Sequence, residues 1–251
     1  MRGLTEKHVL VTGGGSGIGA AICRRLGGEG CRVSIFDLDL AAAEAIVDEI
    51  VTAGGQAGAY RVDISDRAEV IKSVGLAENA WGPLFGLVNN AGWDRAVSFL
   101  DSGPDHWEKV IDINLKGPIN VTHAVASRMA ERAEGRIVSI ASDAGRVGSS
   151  GESVYSACKG GIIALTKTLA RELARSGLTL NCLCPGPTET PLLENLDPDG
   201  KLVEALKRAI PLRRLGQPED YPGLVCFLLS DDAAYMTGQT VSVSGGLTMH
   251  G

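Results

Sequence analysis

Along most of the chain, short apolar runs alternate with stretches whose apolar residues recur at helical spacing. Residues 9–11 (Val-Leu-Val) are the first run. After a glycine cluster, Ile18, Ala21, Ile22 and Leu26 fall three or four apart, so strand, tight turn and helix are predicted in that order. Cys31 to Phe36 is a second run closing on Asp37, with a helix behind it over Ala41 to Ile50. A third strand over Ala57 to Val62 ends at Asp63, a helix follows from about Asp66 to Ala80, and Leu84 to Val88 is a fourth strand. The periodicity then predicts one helix from around Trp107 through Asn114 to Ala130, a strand at Arg136 to Ile140, and a long helix from about Val154 to Ser176. A strand at Thr179 to Leu183, a Pro/Gly-rich stretch, short helices and a last strand at Thr240 to Val243 complete the series.

Strands that are apolar on both faces and alternate with helices make a parallel sheet covered on either side. The predicted fold is α/β: a single doubly wound (Rossmann) domain over residues 1–251, flanked by helices on both faces, with no linker and no internal repeat beyond the βα unit. The stretch Pro185 to Asp199 holds four prolines and is too long and polar for a simple connection. It reads as the start of a substrate lid over about 186–215.

Composition narrows the partners. The chain has 251 residues, 44% hydrophobic and 22% charged, which is ordinary globular usage. A formal net charge of −6 and the lack of a basic stripe argue against nucleic acid. Residues 1–8 are too polar for a signal peptide, and no apolar run approaches the roughly 18 residues of a spanning helix, so a soluble cytoplasmic enzyme is expected. The six cysteines form no C-x-x-C pair and no histidine stands at metal-ligand spacing, so buried reduced thiols and no metal are expected. Cys182 and Cys184 alternate within a strand and should share one face. Glycine is in excess, at 33 residues, often beside apolar runs, which points to close backbone contact with a ligand.

That contact has a candidate place. Residues 12–19 (Thr-Gly-Gly-Gly-Ser-Gly-Ile-Gly) lie between the first strand and its helix, with Gly13, Ser16, Gly17, Ile18 and Gly19 able to present backbone N–H groups to a pyrophosphate. Asp37, followed by Leu38, ends the second strand, where a carboxylate accepts from ribose hydroxyls and repels a 2′-phosphate. No Arg or Lys lies among residues 13–19, although Arg61 or Arg32 can approach, so NAD is favoured over NADP. Tyr155 and Lys159 are four apart on the long helix and therefore share a face. An ammonium about 4 Å from a phenol lowers its pKa by about three units at most, toward the range useful for proton exchange with an alcohol or ketone.

The glycine turn, Asn89-Asn90-Ala91-Gly92, Asn114, Ser142 thirteen residues before Tyr155, Lys159 and Pro185-Gly186 stand in the order and spacing of the short-chain dehydrogenase/reductase family, which the whole chain resembles. The resemblance implies Tyr155 as general acid/base, Ser142 as the group that orients the substrate oxygen, Lys159 on the nicotinamide ribose, and Asn114 holding a water of the proton relay. It also implies adenine contacts at Asp63 and Ile64, the segment Asn89, Ala91 and Gly92 beneath the cofactor, and Pro185, Gly186, Thr188 and Thr190 near the nicotinamide. A homotetramer built through the long helices and the last strand is implied too, with residues 246–251 reaching a neighbour.

Residues 90–94, 139–152 and 242–249 further resemble family members that oxidise a ring β-hydroxyacyl-CoA to the ketone. Trp93, Asp94, Asp143 and Arg146 are the candidate substrate wall, each with a structural alternative: packing for Trp93, a salt bridge for Arg146, a turn cap for Asp143. Two other functions stay open, a 3-oxoacyl carrier-protein reductase using NADPH and a catalytically silent dinucleotide-binding subunit.

Overall fold

The computed structural model describes residues 1–190, 193 and 201–249. Seven parallel strands pair in the order β3-β2-β1-β4-β5-β6-β7: β1 (His8–Thr12), β2 (Arg32–Asp37), β3 (Gln56–Arg61), β4 (Leu84–Asn89), β5 (Gly135–Ile140), β6 (Leu178–Pro185) and β7 (Thr240–Val243). The order reverses between β1 and β4, so their carboxyl ends diverge into a crevice, where doubly wound folds hold their ligands.

Period-two alternation sorts each strand's apolar residues between two layers. Val9, Val11, Val33 and Ile35 face α1 (Gly17–Gly28), α2 (Leu40–Thr52) and the helix Pro222–Leu229, whereas Leu10, Phe36 and Leu87 face α3 (Arg67–Trp81) and α5 (Gly117–Arg132). Each fully buried Val, Leu or Phe contributes about 1.5–3 kcal/mol, so these two layers carry most of the fold's stability. His8 is the one imidazole in the sheet; Nδ1 donates to the Gly82 carbonyl at 2.7 Å and Nε2 accepts from the Ser34 hydroxyl at 2.8 Å, while burial pushes its pKa down. All six cysteines are free and buried. Cys182 and Cys184 do share a face, packed against Ile162 and Ala141.

Two predicted elements differ in detail. The helix expected from Trp107 to Ala130 is α4 (Pro104–Ile111), a wide π turn at Asp112–Lys116, and then α5. Pro118 has no N–H for the Asn114 carbonyl and its ring crowds that turn, so the helix widens there instead of running through. After a short helix α6 (Ala144–Val147), the long helix α7 (Ser153–Leu173) closes three residues early in a 3-10 turn, Ala174–Ser176, ending on left-handed Gly177. Of the predicted lid, residues 191–192 and 194–200 lie outside the described residues. No helix among the described residues is long and apolar enough to cross a membrane.

Candidate active site

A cleft of about 1380 Å³ opens at the carboxyl ends of the strands. One end is the turn between β1 and α1. Helices α2 and α3 are capped by Asp39 and Asp66, whose carboxylates accept from Ala42 and from Ala68 and Glu69; the N-cap of α1, Ser16, makes no such bond, and its first turn carries no acid. The positive end of α1 is left free for an anion. Glycine is required here by space. A Cβ on Gly19 would lie 2.0 Å from the Gly13 carbonyl oxygen, and Gly13, at φ +63°, would put one 2.8 Å from Ala91 Cα. The Asn90 amide donates to the carbonyls of Thr12 and Gly13, and the N–H groups of Asn90 and Ala91 donate to Thr12 Oγ1, so the turn is tied to the end of β4.

Asp37 closes β2 beside this turn. Its Oδ2 accepts from Gly15 N at 2.8 Å and its Oδ1 from Asp39 N at 3.0 Å, so the carboxylate is fixed facing the cleft with Leu38 exposed next to it. Asp63 takes both the N–H and the hydroxyl of Ser65, and with Ile64 forms a shallow pocket wall. Of the two arginines that can approach a 2′-phosphate, Arg61 is exposed on β3 opposite Asp37 with Glu69 at 3.7 Å, and Arg32 donates to the Trp81 carbonyl at 3.4 Å.

The catalytic candidates converge at the other end. Helix α7 carries Tyr155 and Lys159, both buried, one turn apart on its cleft face. The Ser142 hydroxyl, in the turn after β5, accepts from Ala144 N at 3.1 Å and stands on the same cleft as the Tyr155 phenol, whose pKa it pulls down. Lys159 Nζ donates to the Ile140 carbonyl at 3.1 Å and lies 5.4 Å from the centre of the Tyr155 ring. Burial pulls this ammonium down to about 8, and burial together with the Glu152 and Asp94 carboxyls pushes the Tyr155 phenol up, against the smaller pull of Ser142. The expectation that Lys159 lowers the phenol is therefore corrected: within the protein alone, desolvation and two nearby carboxyls outweigh it.

A family model described as enoyl-(acyl carrier protein) reductase matches residues 13–248. The chain belongs to the short-chain dehydrogenase/reductase family. It is 40% identical over 251 residues to a 3-oxoacyl-[acyl-carrier-protein] reductase of Synechocystis, covering 99% of this chain and all of the relative. It is 42% identical over 244 residues to an acetoacetyl-CoA reductase of Rhizobium meliloti, covering 96% and 98% of the two. Among solved structures, levodione reductase superimposes with a TM-score of 0.93 at 33% identity, over 96% of this chain and 97% of that one. The chain is thus an oxidoreductase of a family that acts on CH–OH groups with a nicotinamide dinucleotide and a small-molecule substrate.

In this short-chain dehydrogenase/reductase, Gly13, Ser16, Gly17, Ile18, Ala91, Gly92, Pro185, Gly186, Thr188 and Thr190 line the cleft as the sequence predicts. Trp93 does so too, held edge-on to His106 and under Lys109 Nζ, which lies 3.9 Å from its ring centre. Five predicted residues stand behind the wall. Gly19 packs under the turn, and Asn89 donates to Thr122. Asn114 is wholly buried; its amide donates to the Trp93 and Val110 carbonyls and its oxygen accepts from Trp93 N, so it positions Trp93 through the π turn. Arg146 donates to Ser242, which also donates to Asp143, so that pair ties the β5 turn to β7. Asp94, the fifth, is buried against Glu152.

Sequence reasoning missed Asn90, Glu152, Leu247 and Thr248 as cleft residues. Strand alternation was the available signal for Asn90, since Asn89 and Asn90 must point to opposite sides. Residues 246–249, expected to reach a neighbouring subunit, bend back on glycines at φ +63° and +89°, which sets Leu247 and Thr248 on this chain's own cleft; residues 250–251 lie outside the described residues.

Proposed function

We propose that the protein is an NAD-dependent dehydrogenase interconverting a secondary alcohol and a ketone, with a ring-bearing β-hydroxyacyl-CoA such as 2-hydroxycyclohexanecarboxyl-CoA as substrate. The observation that carries this reading is the row Ser142, Tyr155, Lys159 opening onto the same cleft as an uncapped, glycine-walled helix end. The residues present fit a dinucleotide: the α1 turn receives the pyrophosphate, Asp37 the adenosine ribose, Asp63 and Ile64 the adenine, Lys159 the second ribose, and Thr188 and Thr190 the nicotinamide carboxamide. A bound dinucleotide supplies the hydride exchange and, when oxidised, a positive ring charge. Ser142 orients the substrate oxygen; Tyr155 accepts the hydroxyl proton in oxidation and returns it in reduction. Asn114 keeps Trp93 and the π turn in place behind the substrate.

Asp37, fixed beside the turn, supports NAD. The aromatic wall of Trp93 and the apolar lining by Val147, Leu193, Leu206 and Leu247 support a bulky apolar acyl group. A second reading, a 3-oxoacyl carrier-protein reductase, is favoured by the Synechocystis relative's name. Initial rates with both cofactors on cyclic and linear β-hydroxyacyl-CoAs, their free acids and simple cyclic alcohols separate them. NAD is expected to exceed NADP by more than about tenfold in kcat/KM, a margin of about 1.4 kcal/mol. Equal or better rates with NADP, or a preference for linear acyl chains, select the second reading.

A homotetramer is part of the proposal, supported by the open edge of β7 and by exposed Leu100, Ile111 and Ile119 around α4 and α5. Light scattering is expected to return four times the 26.2 kDa chain mass; a monomer excludes it.

A further inference from the structure

Asp94 and Glu152 come from distant segments of the chain and both act on Tyr155. Asp94, in the loop after β4, is 4% exposed. Glu152 is the residue before α7, three positions ahead of the tyrosine, and lines the cleft. The two segments are joined beside them, Val97 N donating to the Gly151 carbonyl at 2.9 Å, and this brings the carboxyls close enough to act on each other. Asp94 Oδ2 is sealed from solvent and, among the described residues, has no N–H or O–H group to accept from. Two ionised carboxylates cannot rest in contact with one oxygen bare, so the missing donor is a proton on one of the two acids.

We propose that Asp94 and Glu152 share one proton, and that this pair, with its single negative charge beside Tyr155, is the positioning element that sets the pH at which the tyrosine exchanges its own proton. The proposal rests on the acid/base role of Tyr155, which Tyr155→Phe tests separately.

Most of the charged and titratable groups on the neighbouring elements have contacts of their own. Lys159, on the same helix, attracts Asp94 but is turned to the Ile140 carbonyl. Cys158 is buried beside it, and from β6 Cys182 and Cys184 are buried together against Ala141. After β5, Asp143 and Arg146 are both committed to Ser242. On α4, Lys109 sits over Trp93 and His106 against its edge, while Asp105 and Glu108 stand on the cleft rim. Both carboxyls act on Tyr155 in the same direction, upward, and removing their charge lowers the phenol's pKa.

Sharing makes a particular pattern of variants diagnostic. In Asp94→Asn or Glu152→Gln the amide replaces the acid as donor to the remaining carboxylate, so the pair keeps one negative charge and the same contact. In Asp94→Asn/Glu152→Gln the charge is gone. The ascending limb of kcat/KM against pH, followed in alcohol oxidation on any substrate that turns over, is expected to stay in place in each single variant. It is expected to move to lower pH by about one unit in the double variant. A merely structural pair lowers kcat without moving the limb. A single variant that shifts it by half the double's displacement or more indicates two independent charges and overturns the proposal, as does a double variant that leaves it unmoved. Infrared spectra near neutral pH give a reading that needs no turnover and no variant stability beyond folding: a protonated-carboxyl band in the parent, lost in either single variant. Its absence from the parent overturns the proposal even if the variants fail to fold.

Discussion

Tyr155→Phe is expected to lower kcat for alcohol oxidation by roughly 10³-fold, within the range of about 10²–10⁴ that a positioned general acid or base supplies. That corresponds to about 4 kcal/mol of lost transition-state stabilisation. The substitution deletes one oxygen and keeps the ring, so its packing on Val110 and Cys158 survives and folding should be close to unchanged. NADH affinity, measured by fluorescence titration, should stay within about twofold, because the phosphate and ribose contacts proposed here lie on the α1 turn, Asp37 and Lys159. Turnover within about tenfold of the parent would remove Tyr155 from proton transfer.

Gly19→Ala should act on the opposite quantity. Its Cβ meets the Gly13 carbonyl oxygen at 2.0 Å and the Asn90 amide nitrogen at 2.5 Å, and both are main-chain or turn-locking atoms with no freedom to retreat. The turn must shift off the end of α1, and dinucleotide affinity is expected to fall by more than about tenfold, or about 1.4 kcal/mol. Gly28→Ala, on the same helix with open space around the new carbon, is the matched control and should leave affinity unaltered. Equal affinity in the two variants would sink the assignment of this turn to the pyrophosphate.

These two sites differ in how they could be read from residues alone. The glycine turn announces itself locally: strand, glycines, amphipathic helix and an acid at the next strand's end all lie within about one βαβ unit. Apolar runs likewise locate all seven strands to within a few residues, because strands buried on both faces leave such runs unbroken. The break at Asn114 was hidden because apolar periodicity persists through a single wide turn; only Pro118, four residues on, betrays it. Arg146 stands off the cleft because Ser242, on the far end of the chain, takes its guanidinium, which nothing local reveals; Asp143 lines the cleft and accepts from Ser242 as well. Asp94 and Glu152 pose the same difficulty. Each is an ordinary acid in a polar loop until β4 and α7 bring them together, and contact between distant segments leaves no periodic trace.

The six buried cysteines give the fold a chemical gauge of its own opening. Burial pushes Cys31 and Cys226 up to about 12 and raises Cys23 further, so at neutral pH they are thiols sealed from reagents. All three pack in the layer beneath the dinucleotide end of the cleft, whereas Cys158, Cys182 and Cys184 lie under the catalytic end. An alkylating reagent therefore modifies each set only as fast as its own half of the molecule loosens. Mass-resolved labelling can time the two halves separately within one chain, with no probe added to the protein.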